Sequence, residues 1–314
     1  MTVKMIIDTD PGVDDAMAIL YAAAAPDIEL VGLTTVFGNV TTPMATRNAL
    51  RLVEMAGLDI PVAEGAMAPQ ALPPFEPADW VHGKEGFGNV PAAEPQGSAI
   101  AESAAEFLVR MARQYKGELV VCPIGPMTNI AAAAALDPQF TSNCAQIVTM
   151  GGSARAGGNM NDYAEANTFH DPHAAADAWA AGGDQIMVGL DVTLQILCDR
   201  DDFASIEAKS PQLGGFLRQA ADFYIDFYQR EAGLAGCGLH DPAAVIACTH
   251  PHLFTMEAVP LEVVTDGGQI GRTIMRPGSA GSAVRVCVDV QSDAVKALWL
   301  STVQKADKIL LNGA

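Results

Sequence analysis

The octapeptide Asp8-Thr9-Asp10-Pro11-Gly12-Val13-Asp14-Asp15 puts four carboxylates into one short segment. Like charges packed this closely repel, so some must protonate or share a cation. Pro11-Gly12 bends the chain sharply and lets the side chains converge on one point. An oxygen-rich cluster of this kind suits a hard divalent cation, Ca²⁺ or Mg²⁺. Carboxylates also satisfy the free N–H groups at a helix start, which accounts for one or two of the four.

The surrounding pattern says what must position this turn. Residues 3–7 are a continuous apolar run and read as a buried strand, and 14–25 read as a helix. Strands follow over 28–36, near 61–62, and over 118–122, 146–150 and 185–190. Helices follow over 98–115, 130–136 and 173–181, and one from Thr42 as N-cap and Pro43 as first residue to about 56. Residues 199–237 look mainly helical, with Phe216, Ala220, Phe223 and Phe227 on one face and Tyr224 and Tyr228 beside them, a stripe that reads as core. A helix over 243–248 precedes strands over 261–265 and 284–290, which form an antiparallel pair, and a helix over 293–311 closes the chain. Repeated β-α order implies an α/β fold: a mostly parallel, open, Rossmann-like central sheet flanked by helices, in one domain over 1–314. Prolines and glycines break regular structure over about 64–100. That segment carries Trp80-Val81-His82-Gly83 and reads as a lid over an active site.

Bulk properties narrow the function. The 314 residues carry a net charge of −19 and no Lys/Arg cluster, which argues against nucleic acid or an anionic membrane as partner. No apolar run is long enough to span a bilayer, and the first strand starts without a signal-type segment, so a cytoplasmic location is expected. Six scattered cysteines without a C-x-x-C spacing read as buried free thiols.

Open parallel sheets bind ligands beyond the carboxyl ends of their strands. This reading brings to that edge Asp8, Asp10, Asp14 and Asp15, then Asn39, the Ile124 carbonyl, Asn159, Glu165, Asn167, Asp191, and finally His240 and Asp241. Other chemistries lack their signatures: there is no G-x-S-x-G, no H-E-x-x-H and no phosphate-binding G-x-x-x-x-G-K-[ST].

The octapeptide resembles the N-terminal signature of the inosine-uridine preferring nucleoside hydrolases. Phe37-Gly38-Asn39, Gly125-Pro126-Met127-Thr128-Asn129-Ile130, Met150-Gly151-Gly152, Gly158-Asn159, Glu165-x-Asn167, Asp171-Pro172 and His240-Asp241-Pro242 follow in that family's order and at about its spacing. The resemblance implies hydrolysis of the N-glycosidic bond of ribonucleosides with one bound Ca²⁺. It implies Asp10, Asp15, Asp241 and the Ile124 carbonyl as metal ligands, and Asn39 as support for the water and those aspartates. It implies Asp14 and Asn167 on the ribose 2′ and 3′ hydroxyls, and Asn159 and Glu165 on the 5′ hydroxyl. Asp10 would be the general base, His240 the acid for the leaving base, and His82 a lid residue near the nucleobase. Trp80, Tyr224 and Tyr228 are candidates for base contact, and a homodimer or homotetramer is the implied assembly. The sequence departs from the family pattern at Ala166, where an aromatic is usual, and at Leu194, where His is common.

Two other readings remain open from the residues. One is a Mg²⁺-dependent phosphotransferase with Asp8 as nucleophile, although Pro11 stands where that pattern expects Gly. The other is a non-catalytic nucleoside or ribose binder.

Overall fold

Met5 and Ile7 of the first strand bury into one hydrophobic cluster and Ile6 into another. The alternation recurs in a later strand, where Val120 and Cys122 face the first cluster and Leu119 and Val121 the second. Strand residues point alternately to opposite faces. A sheet apolar on both faces must therefore be covered twice, and the chain does this in order.

The computed structural model describes residues 2–74 and 76–311. The walk begins β1 (Val3–Thr9), α1 (Val13–Ala24), β2 (Ile28–Thr35), α2 (Thr42–Met55), β3 (Val62–Glu64), α3 (Asp79–His82), α4 (Ala104–Gln114) and β4 (Leu119–Pro123). It continues α5 (Thr128–Leu136), α6 (Phe140–Asn143), β5 (Gln146–Met150), α7 (Ala166–His170), α8 (Pro172–Ala180), β6 (Gln185–Val188), α9 (Leu190–Thr193) and β7 (Leu197–Cys198). It ends α10 (Arg200–Lys209), α11 (Leu213–Ala232), β8 (Cys237–Gly238), α12 (His240–Thr249), β9 (Phe254–Val263), β10 (Thr273–Met275), β11 (Ala283–Val290) and α13 (Ser292–Val303).

Nine strands form one sheet in the order β10-β9-β11-β6-β5-β4-β1-β2-β3. β3 through β6 and β11 pair in parallel, and β9 is antiparallel to both β10 and β11. The domain is a single α/β unit with a mostly parallel sheet flanked by helices, as expected. Residues of α1, α2, α11, α12 and α13 pack into the cluster on one face, and residues of α4, α5 and α8 into the other. After β3 the chain returns across β1 to add β4 on its far side. The connections after β1 and β4 therefore leave in opposite directions, and a crevice opens between those two strand ends.

Several boundaries differ from the sequence reading, each for a local reason. The helix expected from residue 98 begins at Ala104, because Ser103 and Glu106 form a reciprocal cap. Ile100 instead bridges Ala63 at the sheet edge. Helix α2 has Thr41 as N-cap, and the Thr42 hydroxyl donates to the Ala66 carbonyl at 2.7 Å. The closing helix stops at Val303. Asp307 then turns back to accept from Ser210 Oγ at 2.8 Å and from the N–H groups of Gln212 and Leu213 at 2.7 and 2.9 Å. This buried carboxylate caps α11, the helix bearing Tyr224 and Tyr228. All six cysteines are free and buried. Among the described residues no helix is long and apolar enough to cross a membrane.

Asp307→Ala would leave the buried Leu213 N–H, the part-buried Gln212 N–H and the Ser210 hydroxyl without their acceptor. It should lower unfolding free energy by about 2–4 kcal/mol, read as an earlier urea midpoint; an unchanged midpoint would contradict the cap.

Candidate active site

β1 delivers the acidic turn to the crevice. Asp8, Asp10 and Asp15 have no solvent exposure, and Asp14 and Asp241 are 6% and 3% exposed. Asp15 organises the turn. Its carboxylate accepts from Thr9 Oγ1 at 2.5 Å, Gly12 N–H at 2.8 Å, Asn39 Nδ2 at 3.0 Å and Asp10 N–H at 3.2 Å. Asp10 accepts from the Asn39 N–H through Oδ2 at 2.6 Å, while its buried Oδ1 has no hydrogen-bond partner. The backbones of Gly38 and Gly125 close on that carboxylate from two sides. A Cβ at residue 125 would stand 2.6 Å from Asp10 Oδ1, and one at residue 38 would overlap Oδ2. Asp8 lies deeper, accepting from Thr34 Oγ1 at 2.6 Å and Asn129 Nδ2 at 2.7 Å.

Across the crevice, Asn167 Nδ2 donates to the Ile124 carbonyl at 2.8 Å and to the Met150 carbonyl at 3.1 Å. Only the NH₂ end of an amide can serve two carbonyls, so Asn167 Oδ1 is left as an acceptor. Glu165 caps α7 and accepts from the Gly152, Asn167 and Thr168 N–H groups and the Thr168 hydroxyl. Asn159 is exposed on the loop before α7 and does not line the crevice. Asp191 accepts from the N–H groups of Ala154, Arg155 and Ala156, so it fixes that loop rather than a reacting group.

α11 and α12 supply the third wall. His240 lies between the Thr193 hydroxyl at Nδ1, 2.7 Å, and the Tyr228 hydroxyl at Nε2, 2.6 Å. Tyr224 donates to Asp14 Oδ2 at 3.2 Å and stacks on the His82 ring at 5.2 Å. His82 Nδ1 accepts the Val13 N–H at 3.2 Å, which puts the ring proton on Nε2. The partly open space between these groups is about 50 Å³, lined by Asp14, Asn39, His82, Ile124, Asn167, His240, Asp241 and others. Pockets for small organic ligands run to roughly 300 Å³ or more, so a ligand of that size enters only if the walls move outward.

Residues 5–297 match the family model described as inosine-uridine preferring nucleoside hydrolase. The chain is 41% identical to a probable uridine nucleosidase 2 of Arabidopsis thaliana, over 96% of this chain and 98% of that protein. It is 33% identical to an inosine-uridine preferring nucleoside hydrolase of Crithidia fasciculata, over 93% and 95%. A solved purine-preferring ribonucleoside hydrolase from Gardnerella vaginalis superposes with TM-score 0.94 at 35% identity, covering 98% of this chain and 99% of that one. A plant nucleoside hydrolase superposes equally well, at 0.94 and 34%, covering 97% and 99%.

The chain belongs to the inosine-uridine preferring nucleoside hydrolase family. Hydrolysis of ribonucleosides follows as its activity class.

In this nucleoside hydrolase the candidate residues fall into two groups. Asp10, Asp14, Asp15, Asn39, His82, Ile124, Glu165, Asn167, His240 and Asp241 gather at the crevice, as the sequence reading expects. Asn159 and Trp80 do not; Trp80 is 56% exposed and lines an outer groove with Phe223. Tyr224 and Tyr228 hydrogen-bond site residues, which the stripe reading of core did not require. Thr193, which no motif in the sequence singles out, bonds His240 Nδ1. His170 is also buried.

The tightest grouping of ligand atoms differs slightly from the expected set. One carboxylate oxygen each of Asp14, Asp15 and Asp241 lies within 4.8 Å of the others. Burial first, and then neighbouring aspartates, pushes Asp10 and Asp241 well above the usual carboxylate range; burial and Asp15 raise Asp14 to about 7. Burial also raises Asp8 to about 7. These groups fit a divalent cation: the donors are hard oxygens, and the buried Oδ1 atoms of Asp10 and Asp14 have no other partner. The histidines move the other way. Burial lowers His240 and His170 to about 4 and His82 to about 3, so the imidazoles are neutral at pH 7. His240 is thus neutral, holding one ring proton, where the acid role implied by the resemblance calls for a proton to give.

A carboxyl whose folded pKa is raised stabilises the fold below its unfolded value, and that stabilisation is lost as pH rises through the folded value. With a chelator present, unfolding free energy should therefore rise between pH 8 and pH 6.5, with protonation of His82, His170 and His240 in the unfolded chain, near pH 6.5, offsetting only part of the rise. Saturating divalent cation should flatten this slope in urea titrations. A chelated protein more stable at pH 8 than at pH 6.5 would contradict the assignment.

Proposed function

We propose that this enzyme hydrolyses the N-glycosidic bond of ribonucleosides with one Ca²⁺ held by Asp10, Asp15, Asp241 and the Ile124 carbonyl, with Asp14 beside it. The observation carrying this reading is the burial of the carboxylates around one point, where like charges are tolerable only with protons or a cation between them. When bound, the ion would supply a fixed positive charge that draws the carboxylate pKa values down, acidifies an adjacent water and grips a vicinal diol.

The chain's own groups have distinct tasks in this reading. Asp10 Oδ1, unpartnered and held by the Gly38 and Gly125 backbones, takes the proton of the attacking water. Asn39 steadies Asp10 and Asp15 through its N–H and Nδ2. Asp14 Oδ1 and Asn167 Oδ1 accept the ribose 2′ and 3′ hydroxyls. Glu165 takes the 5′ hydroxyl, with Asn159 joining only if its loop folds inward. As the bond to the base breaks, positive charge grows at C1′ and the ring oxygen, and the nearby carboxylates stabilise it. His240 holds one ring proton at pH 7; as acid for the leaving base it would give up that proton only as solvent water supplies another, because Tyr228 or Thr193 left deprotonated would be a buried anion.

A phosphotransferase reading finds no support, since Asp8 is fully buried and its Oδ1 is engaged twice. Asp10→Asn should keep the fold and lower base release from inosine or uridine by about 10²–10⁴-fold, the usual size of a general-base contribution. Activity within tenfold of the parent would remove the assignment. Phosphate release from a nucleotide without free base would favour the alternative.

A further inference from the structure

The segment carrying His82 is held down rather than loosely draped. Helix α2 runs beside it and presents Arg47, Asn48, Arg51 and Glu54. Asn48 is 1% exposed, although it lies in mid-helix. Its Nδ2 donates to two backbone carbonyls that belong to different parts of the site. One is Pro11, in the acidic turn, at 3.2 Å; the other is Glu85, three residues beyond His82, at 2.8 Å. Its Oδ1 accepts from Arg47 at 3.0 Å, and Arg47 pairs with the Glu85 carboxylate at 2.8 Å. Farther along, Arg51 donates to the Pro91 carbonyl at 2.9 Å, and Glu54 accepts the Gln96 and Gly97 N–H groups at 2.7 Å.

The backbone is shaped to this contact. Gly86 has φ +88°, and a Cβ there would stand 2.7 Å from both Asn48 Nδ2 and the Pro11 carbonyl. Only glycine lets the segment come so close in that conformation. On the other side the Val13 N–H reaches His82 Nδ1. The acidic turn and the lid are thus joined twice, directly through Val13 and His82, and through Asn48 from Pro11 to Glu85.

We propose that Asn48 is a positioning residue for the reaction: its NH₂ group ties the acidic turn to the lid, fixing the height and Nε2–H tautomer of His82 over the substrate cavity. The residue type follows from the task. Two carbonyl acceptors close together need two protons on one nitrogen at the end of a short side chain. Asp would offer the wrong polarity. Leu would match the volume and leave both carbonyls unpaired.

A purely structural Asn48 would also satisfy two buried carbonyls, so stability alone does not separate the two roles. The kinetic consequence rests on the hydrolase reading above, and the experiment keeps the two apart. Asn48→Leu, Arg47→Met and Lys84→Ala are made in the full chain, Lys84 being an exposed lid residue outside the clasp. Initial rates of base release from inosine and uridine give kcat and KM at 25 °C, and ¹⁵N imidazole spectra, with the His82 signals assigned by their loss in His82→Gln, report the tautomer. The expected result is a fall in kcat/KM of about 10²-fold for Asn48→Leu, the scale of a misplacement near 1 Å. Its His82 signals should lose the pure Nε2–H pattern, while Lys84→Ala matches the parent. A structural role alone would lower the unfolding midpoint and leave both constants within twofold with the tautomer intact; that result overturns the proposal. Should Asn48→Leu fail to fold, Arg47→Met frees Glu85 and Asn48 Oδ1 without unpairing a buried carbonyl. Unchanged kinetics and an unchanged His82 spectrum there also overturn it. If the parent releases no base from either nucleoside, the hydrolase reading fails, and the His82 spectra of the variants still decide whether the clasp sets the ring.

Discussion

Four aspartates, Asp10, Asp14, Asp15 and Asp241, are buried together at the end of β1, with Asp8 buried behind them. An isolated buried carboxylate is costly, and neighbours of the same sign raise that cost. The local structure relieves it unevenly. Asp15 receives four donors from its own turn and from Asn39, and Asp8 receives two from β2 and α5. Asp10 and Asp14, and Asp8 at its Oδ2, each retain a buried oxygen with nothing bonded to it. Such unmet demand is rare in native interiors and marks places where something else is meant to bind. Asp15, bonded on both oxygens, builds the turn; the unpartnered oxygens of Asp10 and Asp14, carboxylates close to Asp15 and Asp241, leave room for a function.

The rest of the molecule keeps that arrangement in place. The return of the chain across β1 opens the crevice and sets the acidic turn opposite the Ile124 carbonyl. Small backbones at Gly38 and Gly125 allow other strands' loops to close on Asp10. Asp307, at the far end of the chain, caps α11, so the tyrosines beside Asp14 and His240 inherit their position from a C-terminal turn. α2 does the same for the segment carrying His82. Each wall of the cavity is thus anchored outside the cavity, and the partly open space of about 50 Å³ between them is smaller than a nucleoside-sized ligand needs. The loop before α7 has exposed residues from Arg155 to Tyr163, whereas the segment around Gly86 is wedged between α2 and the acidic turn.

Much of this was legible in the chain itself. The acidic octapeptide, the alternating apolar runs and the later Asn39, Asn167 and His240-Asp241 segments define the fold and most of the site, because strand ends in an open sheet converge whatever the intervening helices do. What escaped depended on three-dimensional neighbours. Tyr224 and Tyr228 repeat at helical spacing with Phe216 and Phe227, and periodicity does not distinguish a ring that fills the core from one whose hydroxyl reaches Asp14 or His240. Asn48 looks like a polar residue on a helix surface until Glu85 is folded over it. The neutral state of His240 follows from burial, which no local pattern reports. Asn159 matches by spacing, yet its loop lies open, held by Asp191 at its base.

Membership in the nucleoside hydrolase family accounts for the shape of the site, and the carboxylate cluster gives that shape its chemistry. The central claim is that the cluster holds protons until a cation replaces them. It is tested most directly by calorimetric titration of chelator-stripped protein with Ca²⁺ at pH 7, in buffers of differing ionisation enthalpy. Metal binding to protonated ligands releases protons. The account predicts one ion per chain, with protons released to the buffer on binding. No saturable binding, or binding of one ion with no proton release, would contradict it.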